Sequence, residues 1–228
     1  MKEINLTDFF QVVEDESYCI VKRGDIENYK AGADFDIFCF DMHSFSKKVI
    51  MSSQPYLNDG YELKINNSRQ THWHIDLVAE KKITIRFDLY CSLPDYQNIN
   101  VKDGLFSSII ENRVEENVVL NGKIIKVYYP SLVDEIIIKY LEYVENYKLR
   151  PDKVKHLDYV LEKLEEDSDN KRFLEKLHFY TAIPKDLSVK KKNEFLNVVK
   201  ETILKVKATS LDDLPKKTIS FVKKRVGK

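Results

Sequence analysis

The chain has 228 residues, 43% of them hydrophobic and 32% charged, so it is long enough for one large domain or two small ones with a buried core. This composition excludes a peptide, a fibrous protein and a disordered tail. Basic and acidic residues both number 37, and the resulting net charge of zero does not indicate a nucleic-acid or membrane partner. The charge is divided unevenly, since residues 1–120 contain 13 basic and 20 acidic side chains and residues 121–228 contain 24 and 17.

The three cysteines, Cys19, Cys39 and Cys91, lie in apolar stretches and lack the spacing of a metal site or a disulfide framework. The first residues do not form a charged-then-apolar leader. These features predict a reducing, cytoplasmic location. No uncharged apolar run approaches the roughly 20 residues of a membrane span, so we expect a soluble protein with no membrane-spanning segment. The sequence does not indicate an oligomeric state.

The N-terminal half is predicted to be rich in strands. A short helix is expected over Thr7–Val13, where Thr7 can cap the first turn. Apolar and alternating runs predict five strands, with a helix over Ser44–Met51 after the second. The five strands are Tyr18–Lys22, Asp36–Phe40, Tyr61–Ile65, Thr71–Val78 and Ile83–Cys91. A helix near Gly104–Asn112 follows, and then a hairpin that turns at Asn121-Gly122, between Val118–Leu120 and Lys123–Tyr129.

From Ser131 onward the apolar residues recur every three or four positions, which predicts amphipathic helices. About five helices are expected here. They are Leu132–Tyr147, segments around Leu157–Leu164 and Phe173–Leu177, Ser188–Lys207 and Leu211–Val226. The predicted fold is therefore α+β, with a mixed sheet flanked by helices over residues 1–129 and a helical bundle over residues 130–228.

Asp34 and Asp36 stand at the start of the second predicted strand. Residues two apart on a strand point to the same side, so both carboxylates face one way and Phe35 faces the core. Two adjacent like charges are stabilised by a divalent cation, and Mg²⁺ prefers one or two carboxylates together with phosphate and water oxygens. The alternative is an ordinary solvated strand end.

The strands Thr71–Val78 and Ile83–Tyr90 are predicted to form a hairpin with a three-residue turn, Glu80-Lys81-Lys82. The expected core face carries Trp73, Ile75, Leu77, Ile83, Ile85, Phe87 and Leu89. The expected polar face carries His72, His74, Asp76, Thr84, Arg86, Asp88 and Tyr90. This register places Asp76 opposite Arg86 and His74 opposite Asp88. The face is then either a functional site or a solvated surface with two salt bridges.

The histidines of this face leave three interpretations open. His72 and His74 have a metal-ligand spacing and, with Asp76, could form a separate Zn²⁺ site. A histidine could instead act as a general base near an acceptor, or could hydrogen-bond to Asp88 in a structural role.

The combination of Gly24, the strand that opens with Asp34-Phe35-Asp36-Ile37 and the later Phe87-Asp88-Leu89 resembles the nucleotidyltransferase superfamily of polymerase-β-like folds. The resemblance covers residues 15–165. The glycine motif departs from the family pattern, because Arg23-Gly24-Asp25 replaces apolar-Gly-Ser. A divergent, bacterial-type subset of related proteins, often encoded with surface-polysaccharide genes, shows a similar arrangement of strands.

The resemblance implies a magnesium- or manganese-dependent nucleotidyltransferase with a nucleotidyltransferase-type sheet. Asp34 and Asp36 would hold a metal at the β- and γ-phosphates of an NTP, and a second metal held by these residues and Asp88 would lie near the α-phosphate. Asp88 would help to deprotonate the acceptor hydroxyl, and pyrophosphate would leave. The acceptor, a small molecule or a glycan, and the base of the nucleotide are not indicated.

The same resemblance implies a nucleotide-binding set. Lys22 and Arg23 beside Gly24 would hold phosphate by charge, and Arg86 would balance the leaving pyrophosphate or orient Asp88. Lys155, in a basic-then-acidic helix, would bind the triphosphate; a solvated helix face is the alternative for this lysine.

Two other functions are compatible with the sequence. One is a degenerate member that binds a nucleotide or a partner without turnover, which the altered glycine motif permits. The other is a nucleic-acid-directed enzyme or binder that uses basic clusters of the C-terminal half. Those clusters are Lys190-Lys191-Lys192, Lys216-Lys217 and Lys223-Lys224-Arg225, and without aromatic residues between them they are more typical of solvated helix faces.

Overall fold

A computed structural model describes residues 3–97, 99–146, 154–166 and 170–181 of the chain. The contacts between Cα atoms divide the chain into two compact units. The first consists of residues 1–93 and 106–131, and the second of residues 94–105 and 132–228. The division into domains at residue 129 stays a proposal.

The first unit is built on a five-stranded mixed sheet. Its strands are β1 (Tyr18–Ile20), β2 (Ala33–Cys39), β3 (Glu62–Asn66), β4 (His72–Ala79) and β5 (Lys82–Tyr90). Their order in the sheet is β1-β2-β5-β4-β3, in which β2 and β5 are parallel and the other neighbours are antiparallel. The predicted α+β class with a mixed sheet and flanking helices is confirmed.

Helices and a second sheet accompany these strands. The helices are α1 (Thr7–Phe10), which continues as a 3₁₀ turn over Gln11–Val13, α2 (Met42–Leu57) and α3 (Gly104–Glu111). The second sheet is a hairpin of β6 (Val114–Leu120) and β7 (Lys123–Tyr129). The start of α2 is fixed by Asp41, whose side chain accepts a hydrogen bond of 2.8 Å from the backbone N–H of Ser44.

One face of the five-stranded sheet lies on an aromatic core. Phe35 of β2 and Phe87 of β5 are buried there, with ring centroids 6.0 Å apart. Phe9 and Phe10 of α1 pack against Phe87 at 5.3 and 6.2 Å. Buried side chains of α2, β6 and β7 belong to the same core. Because side chains alternate along a strand, the neighbours of Phe35 and Phe87 lie on the other face of the sheet.

The turn between β4 and β5 differs from the prediction. It contains two residues, Glu80 and Lys81, which have positive φ angles of 50° and 63°. A register shift next to Leu77 leaves Thr84 as the extra residue of β5, so the pairing returns to the expected register. The predicted place of Ile83 on the core face is wrong, since Ile83 pairs with Val78 before the shift and is 38% exposed.

The hairpin predicted at Asn121-Gly122 is confirmed. These two residues join β6 to β7 and have φ angles of 50° and 76°, the left-handed pair that a tight hairpin turn requires. Gly122 adopts this conformation without the steric cost that a Cβ atom would bring.

The described part of the second unit contains three of the predicted helices: α4 (Leu132–Asn146), α5 (Val154–Glu166) and α6 (Asn170–Tyr180). Within this unit Asp134 is fully buried, and one of its carboxylate oxygens lies 2.5 Å from Nζ of Lys176. The helices predicted at 188–207 and 211–226, and the three basic clusters, lie outside the described residues. Among the helices of the described ranges, none is long and apolar enough to cross a lipid bilayer.

Candidate active site

Three carboxylates lie together at the centre of the sheet, on the face opposite the aromatic core. Asp36 of β2 is paired with Asp88 of β5, and Asp34 is paired with Arg86. Neighbouring strands are about 4.8 Å apart, so paired side chains of one face are adjacent. Asp34 is exposed, Asp36 is half-buried and Asp88 is only 7% exposed. The structure thus brings the three predicted acidic residues onto one surface.

Asp88 is the most buried of the three carboxylates. Burial raises the pKa of its carboxyl group, and the negative charge of Asp34 raises it further. His74 and Arg86 act in the opposite direction. The net result is a pKa above the ordinary value of an aspartate.

Arg86 binds Asp76 across the hairpin. Its Nε and Nη2 atoms donate to the two carboxylate oxygens of Asp76, each at 2.7 Å. This bidentate pairing raises the pKa of Arg86 above its ordinary value. The same Nε atom lies 3.9 Å from Oδ1 of Asp88. The predicted pairing of Asp76 with Arg86 is confirmed, and Arg86 lies between two acidic residues.

The two histidines meet Asp88 and not Asp76. Nδ1 of His74 lies 2.5 Å from Oδ1 of Asp88, and Nε2 of His72 lies 4.0 Å from the same oxygen. His74 lowers the pKa of Asp88 by its charge and by a side-chain hydrogen bond, whereas Nε2 of His72 is buried without a hydrogen-bond partner in the described part of the chain. The predicted opposition of His74 and Asp88 is confirmed, whereas the Zn²⁺ set that included Asp76 is wrong, since Arg86 occupies that carboxylate.

Burial, followed by the neighbouring His74, lowers the pKa of His72 to about 4. At neutral pH the imidazole of His72 is therefore uncharged. Its ring stacks on Tyr90 at 4.1 Å with an interplanar angle of 10°. The sequence analysis missed this stacking, although the register that pairs Asp76 with Arg86 also pairs His72 with Tyr90.

An aromatic wall borders one end of the polar face. Phe38, two residues after Asp36 on β2, contacts Tyr90 of β5 with ring centroids 5.9 Å apart. Phe106 of α3 packs on Phe38 at 5.3 Å. The side chains at this end of the site are therefore fixed by contacts between their rings. Sequence patterns could not predict that α3 covers this end, because an apolar helix face does not identify the surface that it buries.

The Lys22-Arg23-Gly24 segment leaves the sheet beside Asp36. The backbone N–H of Val21 donates to the carbonyl of Asp36 at 2.9 Å, which extends the pairing of β1 with β2. Gly24 has a φ of 79°, a left-handed conformation in which a larger residue would be strained. Lys22 forms an ion pair with Asp25.

Arg23 is engaged with the second hairpin of the same unit. It forms an ion pair with Glu116, donates to the carbonyl of Pro130 at 3.1 Å and lies over the ring of Tyr129 at 5.2 Å. Lys155 is exposed on α5, in the second unit. Among the predicted nucleotide-binding residues, Arg86 lies next to the acidic residues, with its Nε atom 3.9 Å from Oδ1 of Asp88.

The acidic residues suit a hard divalent cation. Asp34 and Asp36 offer carboxylate oxygens on one face, and the buried Asp88 adds a third carboxylate opposite Asp36. Mg²⁺ and Mn²⁺ bind such oxygen ligands together with phosphate and water. The site residues therefore fit the metal that the family resemblance implies.

No protein-family model matches the sequence, and no curated protein matches it. Solved structures with a similar trace include JHP933 from Helicobacter pylori, with 10% identity, a TM-score of 0.34 and coverage of 88% of this chain and 89% of that one. Another is an antigenic nucleotidyltransferase-like protein from Paracoccidioides brasiliensis, with 12% identity, a TM-score of 0.41 and coverage of 90% and 95%. At TM-scores below 0.5 these similarities do not assign the chain to a family.

Proposed function

We propose that the chain is a metal-dependent nucleotidyltransferase, which transfers an NMP from an NTP to a hydroxyl or phosphate of an acceptor and releases pyrophosphate. The observation that carries this proposal is the pairing of Asp36 with the buried Asp88 on adjacent parallel strands, with Asp34 on the same face. Three carboxylates so close together are costly without a cation. Mg²⁺ or Mn²⁺ held by Asp34, Asp36 and Asp88 would neutralise phosphate charge when bound.

The side chains of this face divide the remaining work. The position of Asp88 opposite Asp36, beside the proposed metal, supports its role as the acceptor of the hydroxyl proton. In the transfer, the acceptor oxygen bonds to the α-phosphorus, the bond from that phosphorus to the bridging oxygen breaks, and pyrophosphate leaves with the electron pair. Arg86 is held 3.9 Å from Asp88 by its bond to Asp76, which supports a role in orienting Asp88.

The segment at Lys22-Arg23-Gly24 is proposed to contribute phosphate contacts. Lys22 is exposed, and the segment begins next to Asp36. We assign it a supporting role, because an exposed ammonium group on a flexible stem can pair with a phosphate anion. The assignment of Lys155 to the nucleotide stays a prediction.

The first test measures nucleotide binding. Thermal stability of the full chain is recorded with ATP, CTP, GTP or UTP, with and without Mg²⁺ or Mn²⁺. A nucleotide at ~100 times its dissociation constant stabilises the folded chain by about 2.7 kcal/mol. We expect one nucleotide to raise the melting temperature only with metal, and the Asp34→Asn, Asp36→Asn double variant to lose the shift. Asp41→Asn is the matched control, since asparagine caps α2 as well as aspartate does.

The second test measures turnover, as pyrophosphate released on addition of candidate hydroxyl acceptors. A metal-dependent shift without any pyrophosphate would favour the alternative function, a nucleotide- or partner-binding module without turnover. The ion pair of Arg23 with Glu116 favours this alternative, because it holds a predicted phosphate ligand on another acidic group. No shift with any nucleotide, and no pyrophosphate with any acceptor, would contradict the proposed function and leave only the partner-binding form of the alternative.

A further inference from the structure

The polar face offers a second set of ligands, in which two histidines join Asp88. Nε2 of His72 and Nδ1 of His74 lie 4.0 and 2.5 Å from Oδ1 of Asp88, and one ligand atom of each residue lies within 4.8 Å of the others. Imidazole nitrogen favours Zn²⁺ and related transition metals, whereas Mg²⁺ prefers oxygen. We propose that His72, His74 and Asp88 form a transition-metal site that binds Zn²⁺ and shares Asp88 with the cation site proposed for Asp34, Asp36 and Asp88.

The spacing of the three atoms is close to that of a tetrahedral site. Zn²⁺ binds nitrogen and oxygen at about 2.0–2.1 Å, so two ligand atoms of a tetrahedral site are about 3.3 Å apart. The separations from Oδ1 of Asp88 are 2.5 Å to His74 and 4.0 Å to His72, which lie on either side of that value. Binding of Zn²⁺ would therefore move His74 away from Asp88 and His72 towards it.

Hydrogen bonding leaves part of this ligand set unsatisfied. Nε2 of His72 is buried without a hydrogen-bond partner within the described residues, and it lies 4.0 Å from Oδ1 of Asp88. Buried polar atoms are nearly always paired with protein, water or an ion. The other candidate acid of the hairpin, Asp76, is satisfied by Arg86. A metal ion would give Nε2 of His72 a partner and would replace the close contact of His74 with Asp88.

The surrounding structure holds the histidines in place. His72 and His74 are on the same face of β4, and their rings lie 4.2 Å apart. Tyr90, paired with His72 across the hairpin, stacks on its ring. Both histidines have side chains that are at most a quarter exposed, at 15% and 24%. Ligands on paired strands, fixed by packing, lose little conformational freedom when they bind an ion.

The ligand set contains only three protein groups. A fourth tetrahedral position would therefore remain for water or a substrate atom, as in open zinc sites. The Zn²⁺ site is an addition to the proposed function. Binding of Zn²⁺ by the histidines can be measured in the absence of nucleotide. Asp88 is common to both sites, so its substitution cannot separate them and the test uses the histidines.

The test titrates the chelator-treated full chain with Zn²⁺ by calorimetry and with Co²⁺ by visible absorption. We expect one Zn²⁺ per chain and cobalt bands of a low-symmetry site with nitrogen ligands. His72→Gln and His74→Gln should each weaken binding at least tenfold. His43→Gln, which changes an exposed histidine outside the cluster, should bind as the unmodified chain does. The Asp34→Asn, Asp36→Asn double variant should also retain Zn²⁺.

Three results would overturn the proposal. Two concern the variants: unchanged Zn²⁺ binding in both histidine variants, and binding that only the Asp34→Asn, Asp36→Asn variant loses. Thermal denaturation in chelator verifies that each variant is folded. Imidazole NMR of the unmodified chain needs no variant: Zn²⁺ should shift the resonances of two of the five histidines, and no shift would equally overturn the site. Failure of nucleotide binding leaves these outcomes unaffected, so the two proposals fail independently.

Discussion

Arg86 and Asp76 form a charged pair whose geometry differs from that of an ordinary surface ion pair. The guanidinium group donates two hydrogen bonds, and Asp76 is 7% exposed while the side chain of Arg86 is 32% exposed. Exposed pairs contribute about 0–1 kcal/mol because solvent screens them and their side chains must be ordered. A bidentate pair on a half-buried sheet face is better ordered and contributes more.

We predict that Asp76→Ala lowers the free energy of unfolding by about 2 kcal/mol. This value is typical of hydrogen bonds to a charged group, and it allows for the partial exposure of Arg86. Urea denaturation followed by circular dichroism measures the change. Glu62→Gln is the control, since Glu62 and Lys64 form a 3.8 Å pair with both side chains more than half exposed. A loss as large in the control would contradict the special role of the bidentate pair.

In the second unit, Lys176→Met is predicted to destabilise the chain by roughly 3 kcal/mol. Asp134 is fully buried, and removal of the ammonium group 2.5 Å from its oxygen leaves a buried charge less compensated. Lys171→Met is the matched control on the same helix, because that lysine is 84% exposed. It should change stability by less than about 0.5 kcal/mol. Equal denaturation midpoints for the two variants would contradict the prediction.

At the level of single residues, strand periodicity identified which side chains share the polar face, and the pairing of His74 with Asp88 followed from it. The same register placed Arg86 opposite Asp76, the acidic residue that it binds. Strand periodicity could not predict the engagement of Arg23 with Glu116, which depends on where the second hairpin packs. Contacts within one hairpin are set by register, whereas contacts between hairpins require the fold.

Among the elements, the turn between β4 and β5 carries backbone strain. Glu80 and Lys81 both have left-handed φ angles, which cost a residue with a Cβ atom roughly 1–2 kcal/mol relative to glycine. The other hairpin of the same unit uses Asn121-Gly122 at the equivalent positions. The β4–β5 turn therefore has a composition that its geometry does not favour.

The double variant Glu80→Asn, Lys81→Gly is predicted to stabilise the chain by about 1 kcal/mol, because asparagine and glycine adopt left-handed conformations more readily. Part of the relieved strain is offset by the greater freedom of glycine in the unfolded chain. The midpoint of urea denaturation measures the gain.

Lys82→Gly is the control for this turn variant. Lys82 is exposed and stands in β5, directly after the turn. Glycine in a strand should destabilise by about 0.5–1 kcal/mol. Stabilisation by both changes would show that the gain does not come from the left-handed turn.

The sequence predicted the existence and order of these elements better than their details. Alternation of apolar residues located β4 and β5, but it could not reveal the extra residue at Thr84, because a bulge leaves the composition of both strands unchanged. Ile83 shows the consequence. Its hydrophobicity predicted a position in the core, whereas the bulge leaves it exposed on the other side of the strand. A two-residue turn with a bulge and a three-residue turn give the same pairing of Asp76 with Arg86, so the prediction for the site survived the error in the turn.

At the scale of the whole molecule, the acidic face depends on the aromatic core beneath it. Phe35 and Phe87 are buried on the core side of β2 and β5, immediately before Asp36 and Asp88. The parallel pairing of these two strands is long-range in the chain and was not evident from local patterns, although it decides that the three carboxylates meet. The resemblance to nucleotidyltransferases implied the meeting of the carboxylates, whereas the periodicity alone implied only two separate polar strand faces.

Phe87→Ala is predicted to lower the free energy of unfolding by about 3–5 kcal/mol, the usual cost of removing a fully buried aromatic side chain from a packed core. The cavity would also free the strand that holds Asp88, so nucleotide-dependent stabilisation should weaken in parallel. Met51→Ala is the control, since Met51 lies on α2 with 67% of its surface exposed, and should change stability by less than about 0.5 kcal/mol. A folded Phe87→Ala variant with unaltered urea midpoint would show that the packing of Phe9 and Phe10 against Phe87 does not support the sheet.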